Sequence, residues 1–294
     1  MKAVLLMAHG APENLDEVEA YVLRIRHGRP LAPELMATIK DRYRRIGGSP
    51  LLEWSRRQAD ALQQRLHEAG NPVAVYIGMR HSRPFISDTV SQMISEGVDS
   101  IVAVCMAPQF SSQTVGAYQR ALEDAIAGRP VPYVLVQSYA SHPGLIRAFG
   151  AKLDEALRQH PGAFVLFTAH SLPERVLLEG DPYDFEVKET ARLVAQAVNL
   201  RDWKFAYQSQ GMTTDKWLGP TVQARIDELA AQHCAEILLA PIGFVCDHVE
   251  ILYDVDVLYH EYSARKGMRL YRTASLNDSA EFINLLYALV VERL

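Results

Sequence analysis

The chain has 294 residues, 49% of them hydrophobic, and a net charge of −5, which suits one large α/β domain or two of ordinary size. The mildly acidic balance, with no long Lys/Arg-rich block, excludes nucleic acid as the main partner, and no run of 18 apolar residues is present to span a membrane. Three scattered cysteines, Cys105, Cys234 and Cys246, are too few for a disulfide framework or a four-thiolate iron–sulfur cluster.

The chain opens MKAVLLMAHGAP, with Lys2 before an apolar run as in a secretion signal. The run stops at Met7 and His9-Gly10 follow at once, so the segment predicts a first strand and a cytoplasmic protein. Strands are predicted over 3–8, 73–78, 100–106, 133–137, 164–169, 204–208, 236–239 and 268–271. Helices are predicted over 15–26, 33–45, 52–69, 84–96, 115–127, 143–159, 184–197, 220–232, 248–262 and 278–292. Apolar strands alternating with helices imply parallel sheets covered on both faces, an α/β fold.

The chain also echoes itself. VLLMAHGAP at 4–12 resembles FVLFTAHSLP at 164–173, and VCMAPQF at 104–110 resembles ILLAPIGF at 237–244. Two similar doubly wound, Rossmann-like halves follow, 1–142 and 143–294, with the last helix able to pack back on the first half. Ligands of such sheets gather at the carboxyl ends of the strands, where His9, Pro108, His170 and Pro241 fall. No phosphate-cradling loop is present: Gly47-Gly48-Ser49-Pro50 is a turn without a Walker lysine, and no GxGxxG follows the first strand. There is no GxSxG elbow, and Ser171, adjacent to His170 at a strand end, points elsewhere than its neighbour.

Residues 241–256 read PIGFVCDHVEILYDVD. Asp247, Glu250 and Asp254 are spaced three and four apart, so one helix places all three on one face. Like charges at that spacing cost roughly 0.2 to 0.5 kcal/mol per pair, so either the acids handle a cation or protons, or Asp247 caps the helix and Glu250 complements its first turn. His248 adds a metal-capable side chain, and Cys246 is either a thiolate ligand or a small buried residue. His170, emerging from an apolar strand, can bind a divalent metal or accept a proton near neutral pH. Paired with Glu250 across a cleft, and lacking the further ligands of a closed zinc site, it suits a metal that visits and leaves. RIRHGRP supplies Arg24, Arg26, His27 and Arg29, and DRYRRIGG supplies Arg42, Tyr43, Arg44 and Arg45. Arginine forks match carboxylates or phosphates, hence a polyanionic small ligand, while Arg44 and Arg45 read as a solvated helix face.

MAHGAP, IRHGRP, DRYRRIGGSPL, YIGMRHSRPFI, APQFSS, TAHSLPER with GDPY, YQSQG with WLGP, and PIGFVCDHVEILYDVD resemble, in this order, the ferrochelatases. The resemblance runs from the first strand to the last helix and is strongest to the short branch of Bacillus, which inserts Fe²⁺ into coproporphyrin III. It implies His170 and Glu250 as the catalytic, metal-handling pair, and His9, Arg26, Arg42, Tyr43, Ser49 and Tyr118 as porphyrin contacts. It also implies Fe²⁺ as a substrate, no tightly bound cofactor or iron–sulfur cluster, a monomer, and transient contact with a preceding oxidase and a following decarboxylase. Two positions depart from that branch. His9 stands where it carries a tyrosine that can ligate the product iron from the opposite face; here an imidazole either ligates instead or hydrogen-bonds within its turn. Leu258 replaces an acid four residues past Asp254, and Glu261 is displaced by three, which weakens an outer hydrated-metal site. A protoporphyrin IX ferrochelatase and a non-catalytic haem or porphyrin carrier are the alternatives; a sirohydrochlorin or cobalt chelatase would present a second histidine where Glu250 stands.

Overall fold

The computed structural model describes residues 1–211 and 213–294. Two four-stranded, wholly parallel sheets organise the chain. The first holds β1 (Lys2–Ala8), β2 (Ala74–Met79), β3 (Ser100–Cys105) and β4 (Tyr133–Val136) in the order β2-β1-β3-β4. The second holds β5 (Phe164–His170), β6 (Trp203–Gln208), β7 (Glu236–Pro241) and β8 (Arg269–Arg272) in the order β6-β5-β7-β8. The two topologies are the same, as the repeated motifs imply. In each sheet the winding reverses between the two central strands, so the ligand crevice belongs at the carboxyl ends of β1 and β3 in one half and of β5 and β7 in the other.

Strands that read as apolar runs are covered on both faces. Ala3, Leu5 and Met7 of β1 face a layer with α4 (Ile86–Ser95) and α5 (Val115–Ile126). Val4 and Leu6, from the opposite face, join a core with α3 (Leu51–Glu68), α6 (Pro143–Gln159) and α8 (Tyr183–Ala197). That core also takes in Val165 and Phe167 of β5 and Leu238 of β7, so one continuous apolar mass touches both sheets. The last helix, α12 (Ala280–Val291), packs on α3 and on α6. Beyond the second sheet lie α9 (Val222–Ala231) and α11 (His260–Arg265). A smaller cluster, Val18, Tyr21, Val22 and Tyr43, holds α1 (Val18–Ile25) to α2 (Pro33–Arg45) and is touched by Val249 of the acidic segment. Among the described residues no helix is long and apolar enough to cross a membrane.

Two predicted helices change form. Residues 15–26 open with a 3-10 turn, Leu15–Glu17, because the Asn14 side chain accepts from the Asp16 and Glu17 amides. Residues 248–262 are not one α-helix: α10 (Val249–Leu252) gives way to a π-helical segment, Asp254–Tyr259, before α11. There the Leu258 amide reaches the Tyr253 carbonyl at 2.9 Å, five residues back. Such widened turns occur frequently at functional sites. A four-residue α-helix, α7 (Arg175–Leu178), lies in a stretch read as loop.

Candidate active site

His170 is the last residue of β5, where a side chain leaves the sheet and enters the crevice. Its Nδ1 donates to the Ser171 carbonyl oxygen, which leaves the Nε2 lone pair free. Nε2 faces the Glu250 carboxylate, 3.4 Å from Oε1. The other oxygen of Glu250 lies 3.6 Å from Nε2 of His248, whose Nδ1 is likewise committed, to the Cys246 carbonyl at 3.0 Å. Two imidazole lone pairs therefore converge on one carboxylate, an arrangement that is favourable only when a proton or a cation is shared among them. Burial works against protonation of His170, but the adjacent Glu250 charge outweighs it and raises the imidazole pKa above its ordinary 6.5. Burial alone would raise the Glu250 pKa, yet His170 and His248 hold it far below the usual carboxylate range. Among the described residues no three His, Cys, Asp or Glu side chains are placed to hold a metal ion together.

The wall opposite comes from the first half. His9 directly follows β1, and its Nδ1 lies 3.1 Å from the Tyr21 hydroxyl. That hydroxyl donates to the Gly10 carbonyl at 2.9 Å, so its oxygen accepts from His9 Nδ1–H and the His9 Nε2 lone pair stays free. His9 is open to solvent at the surface of the crevice, yet protein surrounds the ring closely enough to push its pKa down to about 4, with Arg80 adding to the effect. His81 packs beside it, ring centroids 4.7 Å apart, and is pushed down to about 3 by burial and by His9. Gly10 is required in this turn: its φ is +90°, and a Cβ there would sit 2.9 Å from the Ser82 nitrogen. Tyr21, Tyr43 and Tyr118 are buried, and burial together with the field of Glu250 holds their hydroxyls un-ionised. That shared field joins tyrosines of the first half and the carboxylate of the second around one cleft.

The remaining expected contacts divide. Arg42 leans over the Tyr253 ring, 5.3 Å from its centroid, and points Nη1 at Asp254 from 3.8 Å, while its buried Nε has no partner. The Ser49 hydroxyl oxygen is buried and equally without a partner. Arg26 is not drawn in; its Nε donates to the nearby Arg29 carbonyl at 3.1 Å. Asp254 is buried, accepts from the Ser209 hydroxyl, and burial pushes its pKa up to about 6.

Asp247 corrects the one-face expectation. It accepts from Ser275 Oγ at 2.8 Å and Asn277 Nδ2 at 2.9 Å and pairs with Arg272 at 3.3 Å, so it secures the loop after β8 and neither caps α10 nor joins Glu250. A three-residue spacing places residues on one face only inside a helix, and Asp247 precedes this one. Glu261 pairs with Arg45 at 2.5 Å, and Leu258 packs at the edge of the outer apolar layer. Ser171 is buried with its hydroxyl on the Leu218 carbonyl, and Cys105 and Cys246 are buried thiols. The residues that periodicity missed are His81, Gln208, Ser209 and Tyr183, whose hydroxyl donates to the His170 carbonyl at 2.9 Å; all four lie in the motif segments of the sequence. Gln208 was visible on the rule that selected His9, a polar residue closing an apolar strand.

The two repeated sheets with a shared crevice define the two-lobed α/β architecture of the chelatases. In the same fold, SirB from Bacillus subtilis with Fe³⁺ superposes with a TM-score of 0.63 at 12% identity, over 99% of this chain and 94% of that one. The ferrochelatase family model matches residues 1–294. A ferrochelatase of Deinococcus radiodurans is 39% identical, covering 99% of this chain and 95% of the relative. A coproporphyrin III ferrochelatase of Bacillus subtilis is 35% identical, covering 99% and 97%. The chain belongs to the ferrochelatase family, enzymes that insert iron into a porphyrin.

Proposed function

We propose that the substrate is coproporphyrin III and the product its iron complex, with His170 and Glu250 as the pair that handles metal and protons. The observation that carries the assignment of the pair is the free Nε2 of His170 aimed at Glu250. A porphyrin ring is stiff, and its two inner N–H groups block the metal, so insertion needs a bent ring and a base beside the exposed nitrogens. Fe²⁺ enters, two N–H bonds break, and two protons leave. His170 has one free nitrogen, so it either accepts a pyrrole proton or hands over iron at a given moment. Once protonated it is stabilised by the carboxylate that faces it, and Glu250 then relays the proton. On the other ring face, the free Nε2 of His9 is a neutral ligand or hydrogen-bond acceptor for the bound ring or its metal.

Preference for four propionates over two rests on donors. The unpartnered Arg42 Nε and Ser49 Oγ offer charge-assisted and neutral hydrogen bonds to a carboxylate. Tyr43 and Tyr118, buried with un-ionised hydroxyls, support the wall of the cleft from within the core. Fe²⁺ is substrate, not a resident cofactor, and the enzyme works as a cytoplasmic monomer that receives its porphyrin from an oxidase and passes its product to a decarboxylase.

The deciding experiment is an anaerobic assay with Fe²⁺ that follows the visible spectra of coproporphyrin III and protoporphyrin IX in parallel. Faster conversion of the four-propionate ring is expected. Conversion of protoporphyrin alone would discard the substrate and keep the chelatase, and binding of both without insertion would favour a carrier.

A further inference from the structure

Gln208 closes β6 in register with His170 on β5. It is fully buried, and its carbonyl oxygen and both polar atoms of its carboxamide are used within the site. Its carbonyl oxygen accepts from the Ser171 amide at 2.7 Å, just past His170. Its side-chain Oε1 accepts from the Thr168 hydroxyl at 2.7 Å, two residues before His170. Its Nε2 donates to the backbone carbonyl of Glu250 at 3.0 Å and lies 3.3 Å from Ser209 Oγ. One carboxamide thus spans from the strand that carries the histidine to the short helix that carries the carboxylate. Ser209, next in sequence, sits at a left-handed φ of 58° and turns its hydroxyl onto Asp254. The turn after β6 therefore grips the acidic segment at two points.

We infer that Gln208 is a positioning residue for iron insertion: its carboxamide sets the separation of His170 from Glu250. The chemistry requires an amide. One oxygen must accept from Thr168 while one nitrogen donates to a carbonyl, and a carboxylate in the same shape has no donor for the second bond. Glu250 sits on a helix of four residues that runs into a π segment, so its own helix constrains it weakly. A 1 Å misplacement of a reacting group can lower a rate by roughly 100-fold.

This inference rests on the assignment of His170 and Glu250 as the reacting pair, so the test includes both. Five variants, Gln208→Glu, Thr168→Val, their double, Thr168→Ser and His170→Ala, are compared with the wild type for kcat and porphyrin KM under anaerobic Fe²⁺. Porphyrin fluorescence quenching gives binding, and thermal melting gives folding. Gln208→Glu and Thr168→Val are expected to lower kcat by roughly 10- to 100-fold with KM and binding within about twofold. Thr168→Ser restores the rate, and the Gln208→Glu, Thr168→Val double variant loses little more than either single one, because both break the same tie. If kcat in Gln208→Glu and Thr168→Val stays at the wild-type level while His170→Ala is inactive, the positioning role is wrong and the pair stands. If His170→Ala turns over normally, the pair falls and the inference falls with it. A loss that follows lowered melting and weakened binding in all variants, with no recovery by Thr168→Ser, marks Gln208 as a fold residue only and overturns the inference.

Discussion

At the residue scale, the site is governed by where protons reside on three imidazoles and two acids, the half-buried Glu250 and the buried Asp254. Backbone carbonyls take the Nδ1 protons of His170 and His248, and the Tyr21 hydroxyl takes that of His9, so each ring turns Nε2 to its surroundings. Since His170 has a folded pKa above 6.5, its imidazolium pairing with Glu250 stabilises the fold fully below about pH 6.5 and fades as pH rises through the folded value. Insertion needs the unprotonated ring and runs the other way. The rate should therefore rise with pH through an inflection above 6.5, and Glu250→Gln should move that inflection down, because the largest influence opposing burial is then removed and only the Ser171 carbonyl and Asp254 remain; the pH profile of the variant's residual turnover beside that of the wild type checks this. Asp254 behaves oppositely to an ordinary salt-bridged acid. Its pKa of about 6 means that the folded protein holds the proton more tightly, so stability falls between about pH 3.8 and 6, by on the order of 3 kcal/mol. Denaturant midpoints across that range should show the fall in the wild type and a flatter profile in Asp254→Asn.

At the element scale, close backbone contact sets the geometry. The turn after β7 lies directly on the end of β5: the Ile242 amide donates to the Thr168 carbonyl at 2.9 Å, and a Cβ on Gly243 would come within 2.8 Å of Ala169 Cβ and 2.9 Å of its Cα. Backbone cannot yield there as a flexible side chain would. Gly243→Ala should cost roughly 1 to 3 kcal/mol, read as a shift in the urea midpoint, and should lower turnover by moving His170 away from Phe244 and Glu250. The π segment matters for the same reason. It keeps Asp254 on Ser209 while Val255 and Tyr259 reach the outer core, which an α-helix of the same sequence would present at different angles.

At the scale of the whole molecule, the halves are joined by a shared core as well as by a cleft. Phe282 and Leu286 of α12 are fully buried in the apolar mass that also holds Leu62 of α3, Phe149 of α6 and Phe167 of β5. Polar ties add to it: Phe110 N and Ser138 Oγ donate to Glu186, and Ser111 Oγ and Ser112 N donate to Asp181. Unfolding should accordingly be a single transition, with circular dichroism and tryptophan fluorescence coincident, and Phe282→Ala should lower the stability of both sheets together by about 3 to 5 kcal/mol. Separate transitions for the two halves would contradict a shared core.

Local periodicity by itself determined the eight strands, nearly all the helices and the repeat, because buried parallel strands must read as apolar runs and their polar terminators mark the crevice. His170 was legible as a polar strand end, and Glu250 as one of three acids, with Asp247 and Asp254, at helical spacing in residues 241–256. Only the tertiary structure decided which neighbours share a face. Asp247 left the acidic set because a loop 28 to 30 residues away claimed it. Gln208 and Ser209 entered because strand register brings them against His170 and the π segment. Hydrogen-bond partners distant in the chain and a left-handed φ at a non-glycine residue leave no periodic trace in sequence, since both are imposed by packing and not by local preference.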